Sequence, residues 1–251
     1  MRIALVGYGA MGQLIAAEAL RLEHQVVATV DPSQTQASHK ELSAAALTGS
    51  EVVIDFTHPG TALKNIEFYC VNNVPAVIGT TGWYDKLEQA RTLVAKHNAR
   101  LIWSSNFAVG VNAFFRMVEF GARLMNQLED YDAWGYEVHH FNKADSPSGT
   151  AKTMADLVLK NMPRKTKAVY DKLDRKIGRD ELHIASVRGG EVNFEHTLAF
   201  DSAADCITIK HAARNRAGYA RGAIHAAQWL LKKPAGFYSA TDFLNELLPL
   251  K

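Results

Sequence analysis

The stretch Arg2–Gly12, RIALVGYGAMG, decides the fold. Arg2–Val6 reads as a short buried strand, and the run Met11–Leu22 behind it has helical periodicity. Between them Gly7-Tyr8-Gly9-Ala10-Met11-Gly12 fits G-x-G-x-x-G in the strand–turn–helix setting that the mechanism of this motif requires. Gly7 permits the tight turn, Gly9 lets the backbone approach a pyrophosphate, and Gly12 lets helix and strand pack closely. The helix N-terminus then offers unpaired N–H groups and a partial positive charge to phosphates. Tyr8, Ala10 and Met11 are therefore counted with the three glycines as the dinucleotide loop.

Working outward, Asp31 ends the next strand, Val26–Val30, where an acid accepts hydrogen bonds from the adenine ribose. Pro32 follows it, so no adjacent cation awaits a 2′-phosphate, although the more distant Lys40 could swing in. NADH is expected to bind at least as well as NADPH. Strand-like runs recur at Val52–Phe56, Ala76–Ile78 and Leu101–Trp103, with helical stretches at Thr61–Asn72 and Tyr84–His97. The strands lack in–out alternation, as expected when helices cover both faces of a parallel sheet. The rhythm predicts an α/β fold whose N-terminal part is a Rossmann doubly wound sheet.

The pattern changes after Val109. A long helix over Val111–Leu128 leads to a strand at Tyr136–Val138 and a helix at Ala151–Lys160, and the basic stretch Pro163–Arg179 reads as an exposed loop. In Glu191–Phe200, Val192, Phe194, His196, Leu198 and Phe200 share one face, Gly189-Gly190 gives a hairpin signal, and Ile207–His211 supplies another strand. These features predict an inserted α+β domain with a mixed or antiparallel sheet, whose apolar face meets its own helices or another subunit. Helices at Tyr219–Lys233 and Thr241–Leu248 are expected to return to the first domain. The division is 1–109 with 217–251 as the Rossmann domain and 110–216 as the inserted one, hinged near Val109 and Arg216 around a cleft.

With 251 residues and a net charge of +2, the chain has room for such a plan and too little charge to suggest a nucleic-acid or membrane partner. No apolar run approaches the roughly 20 residues that span a bilayer. Cys70 and Cys206 form no CxxC pair and no disulfide framework, so both read as small buried apolar residues. A cytoplasmic location is expected.

The chemistry concentrates in Glu137–Thr150, EVHHFNKADSPSGT. His139 suits a proton donor, because an imidazole titrates near neutrality. Lys143 offers a fixed cation for a carboxylate or for charge that develops in the transition state. Ser148, Gly149 and Thr150 precede a helix, so their N–H groups and hydroxyls can hold a carboxylate at its N-terminus. Successive strand residues face opposite ways, so His139 and His140 face one pocket together only if the strand ends at Val138. No H-E-x-x-H and no nearby thiolate suggests a metal. Asp55–Pro59 and Gly79-Thr80-Thr81-Gly82 end strands, where ligands of doubly wound sheets collect.

GYGAMG, DFTHP, GTTG, SSNFAVGVN, EVHHFNKADSPSGTA, RGGEVNFEHTLAF and HAARNRAGYARGAIHAAQWL, in that order, resemble the 4-hydroxy-tetrahydrodipicolinate reductase family, long called dihydrodipicolinate reductases, of the diaminopimelate–lysine pathway. The resemblance implies reduction of a cyclic dicarboxylate imine by NADH or NADPH. It implies that His139 and Lys143 are catalytic and that His140, Ser148, Gly149 and Thr150 contact substrate. Thr81 would lie between substrate and cofactor, with Gly79, Thr80, Ser104, Ser105, Asn106 and Phe107 around the nicotinamide. It also implies a homotetramer built through a sheet face, with the apolar side of Glu191–Phe200 as the consistent feature. Phe141-Asn142 departs from the more basic pair of some members, which could weaken the positive field at the site. Another two-domain dehydrogenase, for aspartate or homoserine, is the alternative.

Overall fold

The computed structural model describes residues 1–249 and separates into two compact units. One comprises Met1–Val109 and the described residues from Arg216 onward; the other is Gly110–Asn215.

In the first unit, β1 (Arg2–Val6), α1 (Ala10–Arg21), β2 (Gln25–Val30), β3 (Val52–Asp55), α2 (Pro59–Val71), β4 (Ala76–Ile78), α3 (Leu87–Lys96) and β5 (Arg100–Trp103) follow in order, with an α-helix between successive strands except between β2 and β3. The later α6 (Ala217–Leu230), β11 (Gly236–Ser239) and α7 (Ala240–Leu247) complete it. The six-stranded sheet has the order β11-β5-β4-β3-β1-β2, and every pairing is parallel. Alternate residues of each strand feed two cores. Val6, Val53 and Ile78 pack with Ile66, Tyr69 and Val94 of α2 and α3. Ile3, Leu5, Ile54 and Ile102 pack with Ile15 of α1, Ile224 of α6 and Phe243 of α7. That two-sided burial is why the strands lack alternation. Buried Glu18 ties α1 to α6 through Arg221, at 2.6 Å.

The edge strand β11 was not foreseen; only four residues long and half-buried throughout, it carries little pattern. Chain order reverses between β1 and β3, so the ligand crevice of a doubly wound sheet falls at their carboxyl ends.

The second unit contains α4 (Val109–Met125) from its second residue onward, β6 (Asp132–His139), α5 (Gly149–Asn161), β7 (Lys167–Val169), β8 (Glu181–Arg188), β9 (Phe194–Asp201) and β10 (Cys206–Ala213). Its five-stranded sheet is mixed, in the order β10-β9-β6-β8-β7, with β6 parallel to β8 and antiparallel to β9.

Several expectations change here. Gly189-Gly190 makes no hairpin, because β8 and β9 lie on opposite sides of β6 and the glycine loop joins them past its end. The stretch Pro163–Arg179 is no free loop: it holds β7, and Lys165 is buried, donating to Arg179 O and Glu181 O at 2.8 Å each. Cys206 is exposed, while Cys70 is buried. The apolar face of β9 packs on the unit's own helices, where Leu198 and Phe200 meet Phe114 and Val118 of α4 and Met154 of α5. The opposite sheet face carries the exposed Trp134 and Val187.

Candidate active site

In the first unit, Gly7 takes φ +88°, and a Cβ there would lie 2.1 Å from Phe56 O. A Cβ on Gly12 would sit equally close to Gly7 O, at 2.1 Å, so both glycines are fixed by backbone contact. A Cβ on Gly9 would meet nothing within 4 Å. Gly9 is the N-cap of α1 without any side-chain cap, which leaves that helix terminus open for an anion. Tyr8 and Met11 turn their side chains toward the core, and Ala10 is exposed.

Asp31 stands at the end of β2. Its Oδ2 accepts from Tyr8 N at 2.8 Å, and its Oδ1 accepts from Ser33 N, Ser33 Oγ and Gln34 N. Burial opposes its ionisation, but the hydrogen bonds from Ser33, Tyr8 and Gln34 outweigh it and hold the carboxyl below its ordinary range. A cavity of about 1100 Å³ runs along these residues and is lined by Gly7, Gly9, Asp31, Ser33, Lys40 and Thr57. The donor set and the open helix terminus fit a dinucleotide.

A second carboxylate organises the neighbouring loops. Fully buried Asp55, at the end of β3, accepts from Tyr69 OH (2.7 Å), Asn65 Nδ2 (3.0 Å), Thr57 Oγ1 (2.7 Å) and Thr80 Oγ1 (2.9 Å). Thr57 N also donates to Thr80 Oγ1, at 2.7 Å. The Thr80 hydroxyl is thus spent on holding its loop. Gly79 is a packing glycine, since a Cβ would lie 2.1 Å from the Phe56 ring. Thr81 and Ser105 are exposed, Phe107 is buried, and Ser104 Oγ accepts from Asn106 N at 2.9 Å, closing the turn that carries these residues.

In the second unit the strand register assembles the site. On β6, Glu137 and His139 point the same way, and His196 of β9 and Ser186 of β8 stand opposite Glu137. Arg188 stands opposite His139. β6 runs through His139, so the expectation that it stops at Val138 is not met. His139 points inward and is buried, while His140, just past the strand, is half-buried. The glycine loop crosses here, with Gly189 N donating to His139 O at 3.0 Å and Phe141 N to Gly190 O at 3.3 Å.

Glu137 is fully buried. Its Oε1 accepts from Ser148 N (3.0 Å), Ser186 Oγ (2.8 Å) and Arg188 Nη2 (2.7 Å), and its Oε2 accepts from the Ser148 hydroxyl. Nε2 of His139 and Nε2 of His196 lie 3.2 and 3.3 Å from Oε2. Burial opposes the charge, yet the bonds from His196, Ser148, Arg188 and Ser186 hold this carboxyl far below its ordinary range. Glu137, His139 and His196 bring three possible ligand atoms within 4.8 Å of one another. The donors already on the carboxylate make the group a hydrogen-bond hub rather than an open metal cradle.

Burial lowers the His139 pKa; the Glu137 anion works against that, and His196, Arg188 and Lys143 add to it. Lys143 pairs with Asp145 at 2.5 Å. Ser148, read from the sequence as an anion ligand, instead uses its N–H and hydroxyl on Glu137 and caps α5 by accepting from Ala151 N at 3.2 Å. Gly149 is exposed with nothing within 4 Å of a Cβ, and Thr150 is half-buried beside it, so these two keep the open helix terminus. Sequence reasoning did not single out Glu137, Ser186, Arg188 or His196. The available signal was a histidine inside the apolar stripe of β9, which calls for a buried polar partner, and a glutamate two residues before His139.

A dinucleotide loop on a doubly wound sheet and an acid–base cluster beside an open helix terminus define a nucleotide-dependent oxidoreductase of two units. The families described as dihydrodipicolinate reductase, N-terminus, and dihydrodipicolinate reductase, C-terminus, match residues 1–107 and 110–244. The 4-hydroxy-tetrahydrodipicolinate reductase of Christiangramia forsetii is 37% identical over 247 residues, covering 98% of this chain and 99% of its own. That of Methanoculleus marisnigri is 36% identical over 195 residues, 78% of this chain and 76% of its own. The dipicolinate-bound dihydrodipicolinate reductase of Paenisporosarcina sp. TG-14 has a similar fold, with a TM-score of 0.72 at 23% identity over 95% of this chain and 97% of its own. The chain belongs to the dihydrodipicolinate reductase family.

Proposed function

We propose that this chain reduces 4-hydroxy-tetrahydrodipicolinate, by way of dihydrodipicolinate, to tetrahydrodipicolinate in diaminopimelate–lysine biosynthesis. The observation that supports the reading is the cluster at the end of β6 in a chain of this family, where Lys143 acts electrostatically on His139 and Ser148, the cap of α5, bonds Glu137 beside it. A bound nicotinamide supplies the hydride. Lys143 exchanges Asp145 for a substrate carboxylate, and the N–H groups of Gly149 and Thr150 hold the other at the start of α5. His139 delivers the proton that completes the reduction, and His140 lies against the same substrate.

Gly7–Gly12 and Asp31 hold the dinucleotide, with Thr80, Thr81 and Ser104–Phe107 toward its nicotinamide end. With four donors already on Asp31, the carboxylate stays anionic where a 2′-phosphate would have to sit, so NADH is used at least as well as NADPH. A homotetramer in the cytoplasm belongs to the same reading. It is supported by the exposed Trp134 and Val187 on the open sheet face and by two unpaired cysteines. No helix among the described residues is long and apolar enough to cross a membrane.

The test follows NADH oxidation while the upstream synthase generates the substrate. His139→Ala and Lys143→Ala are expected to lose about 100-fold or more in kcat, with NADH binding retained. NADH binding without substrate-dependent oxidation in the unsubstituted enzyme would refute the assignment.

A further inference from the structure

Glu137 is the most heavily bonded side chain near the proposed proton donor, and the reading above gives it no task. Each carboxylate oxygen has two lone pairs. Three donors crowd Oε1, and the Ser148 hydroxyl takes one lone pair of Oε2. One lone pair then faces two imidazoles. Nε2 of His196 is also 3.1 Å from Ser148 Oγ, whereas Nε2 of His139 has no hydrogen-bond partner and lies off the line to Oε2. The His139 ring is boxed in by Phe194, stacked at 6.2 Å, and by the edge of His196 at 5.3 Å. One buried group therefore touches the imidazole, the cap of α5 and the strands on either side of β6.

We propose that Glu137 is a positioning residue for the reduction: its carboxylate orients His139 and, through Ser148, fixes the helix terminus that receives the substrate. The inference rests on the role given to His139 above. Its electrostatic consequence can be read separately. The charged or titratable groups facing His139 are Glu137 on its own strand, Arg188 on β8, His196 on β9 and Lys143 on the following loop. Glu137 is the anion among them and favours the protonated ring, while the others disfavour it.

Glu137→Gln keeps the size, removes the charge and turns an amide N–H toward groups that are themselves donors. It is expected to lower kcat at least about tenfold and to move the alkaline limb of kcat/KM down by about one pH unit or more, with NADH affinity unchanged. A purely structural role would lower the unfolding temperature and leave that limb in place. A limb and a kcat equal to those of the unsubstituted enzyme overturn the proposal, while inactive His139→Ala and Lys143→Ala variants leave the reading beneath it standing. Full turnover in His139→Ala removes both. If Glu137→Gln does not fold, Glu137→Asp decides: the charge stays but withdraws by one methylene, so kcat must fall with the limb in place and the unfolding temperature kept, and an unchanged kcat, or a fall that only follows a lowered unfolding temperature, overturns the proposal.

Discussion

His139 carries a conflict between burial and its proposed task. A proton donor must hold its proton, yet the buried ring sits below the ordinary histidine value even with Glu137 beside it. Resolution comes with the substrate, since a dianion near the imidazole raises its pKa. The alkaline limb of kcat/KM, which reports the free enzyme, should therefore lie at lower pH than the limb of kcat, which reports the complex. Coincident limbs in the two pH profiles would contradict this. The dinucleotide glycines separate equally well. Gly7→Ala forces a Cβ against Phe56 O at φ +88°, and about 2–4 kcal/mol of stability should be lost in thermal unfolding. Gly9→Ala meets open space, so its melting temperature should stay near that of the unsubstituted protein while nucleotide affinity falls.

Elements were legible where packing alone sets their pattern. The strands of the first unit are covered on both faces, and their continuous apolar runs said so. In β8, by contrast, Ser186 and Arg188 take inward positions because they serve Glu137, and that polar content hid the strand. The site thus concealed the element that helps to build it, and pairing β8 with β6 is a long-range choice that no local signal encodes. Ser148 was recognised as part of a helix start, but its commitment to Glu137 depends on that same pairing. Arg164 shows a related effect. It stands in a basic stretch that looked solvated, yet its guanidinium donates to Asn126 O (3.0 Å), Met125 O (3.0 Å) and Tyr131 O (2.6 Å) around the end of α4. The last carbonyls of a helix have few partners within it, and a cation is favoured there. Arg164→Ala should cost about 2–3 kcal/mol in denaturant unfolding, and Arg164→Lys should recover only part of it.

Across the whole molecule, acid draws on carboxylates of both units, most strongly on two in the second. In the second, Glu137 and Glu181 are both held well below their ordinary values: Glu137 by hydrogen bonds that overcome its burial, Glu181 chiefly by Arg175, Gly178 N and Lys167. Groups with lowered pKa values stabilise the fold at neutral pH, and that contribution drains away as pH falls through and below the carboxylate range. Asp55 of the first unit runs the other way, because burial raises its pKa and protonation favours its folded form. Trp134 reports on the second unit when Trp83, Trp103 and Trp229 are replaced by Phe. Its fluorescence should change as pH falls through and below the carboxylate range, and a signal that stays native well below that range would contradict this.

The late arrival of β11 and α6 has a consequence for synthesis. On the ribosome, residues 110–215 are all available to fold before the first sheet can close. On the face that carries Ile3, Leu5, Ile54 and Ile102, α1 gives partial cover from the start, but β3, β4 and β5 lack α6 until Ala220–Leu230 emerges, and β5 has no outer neighbour until Gly236–Ser239 follows. The part of the enzyme translated first is finished last, and a nascent chain paused in between presents a half-covered apolar sheet face to any holding chaperone.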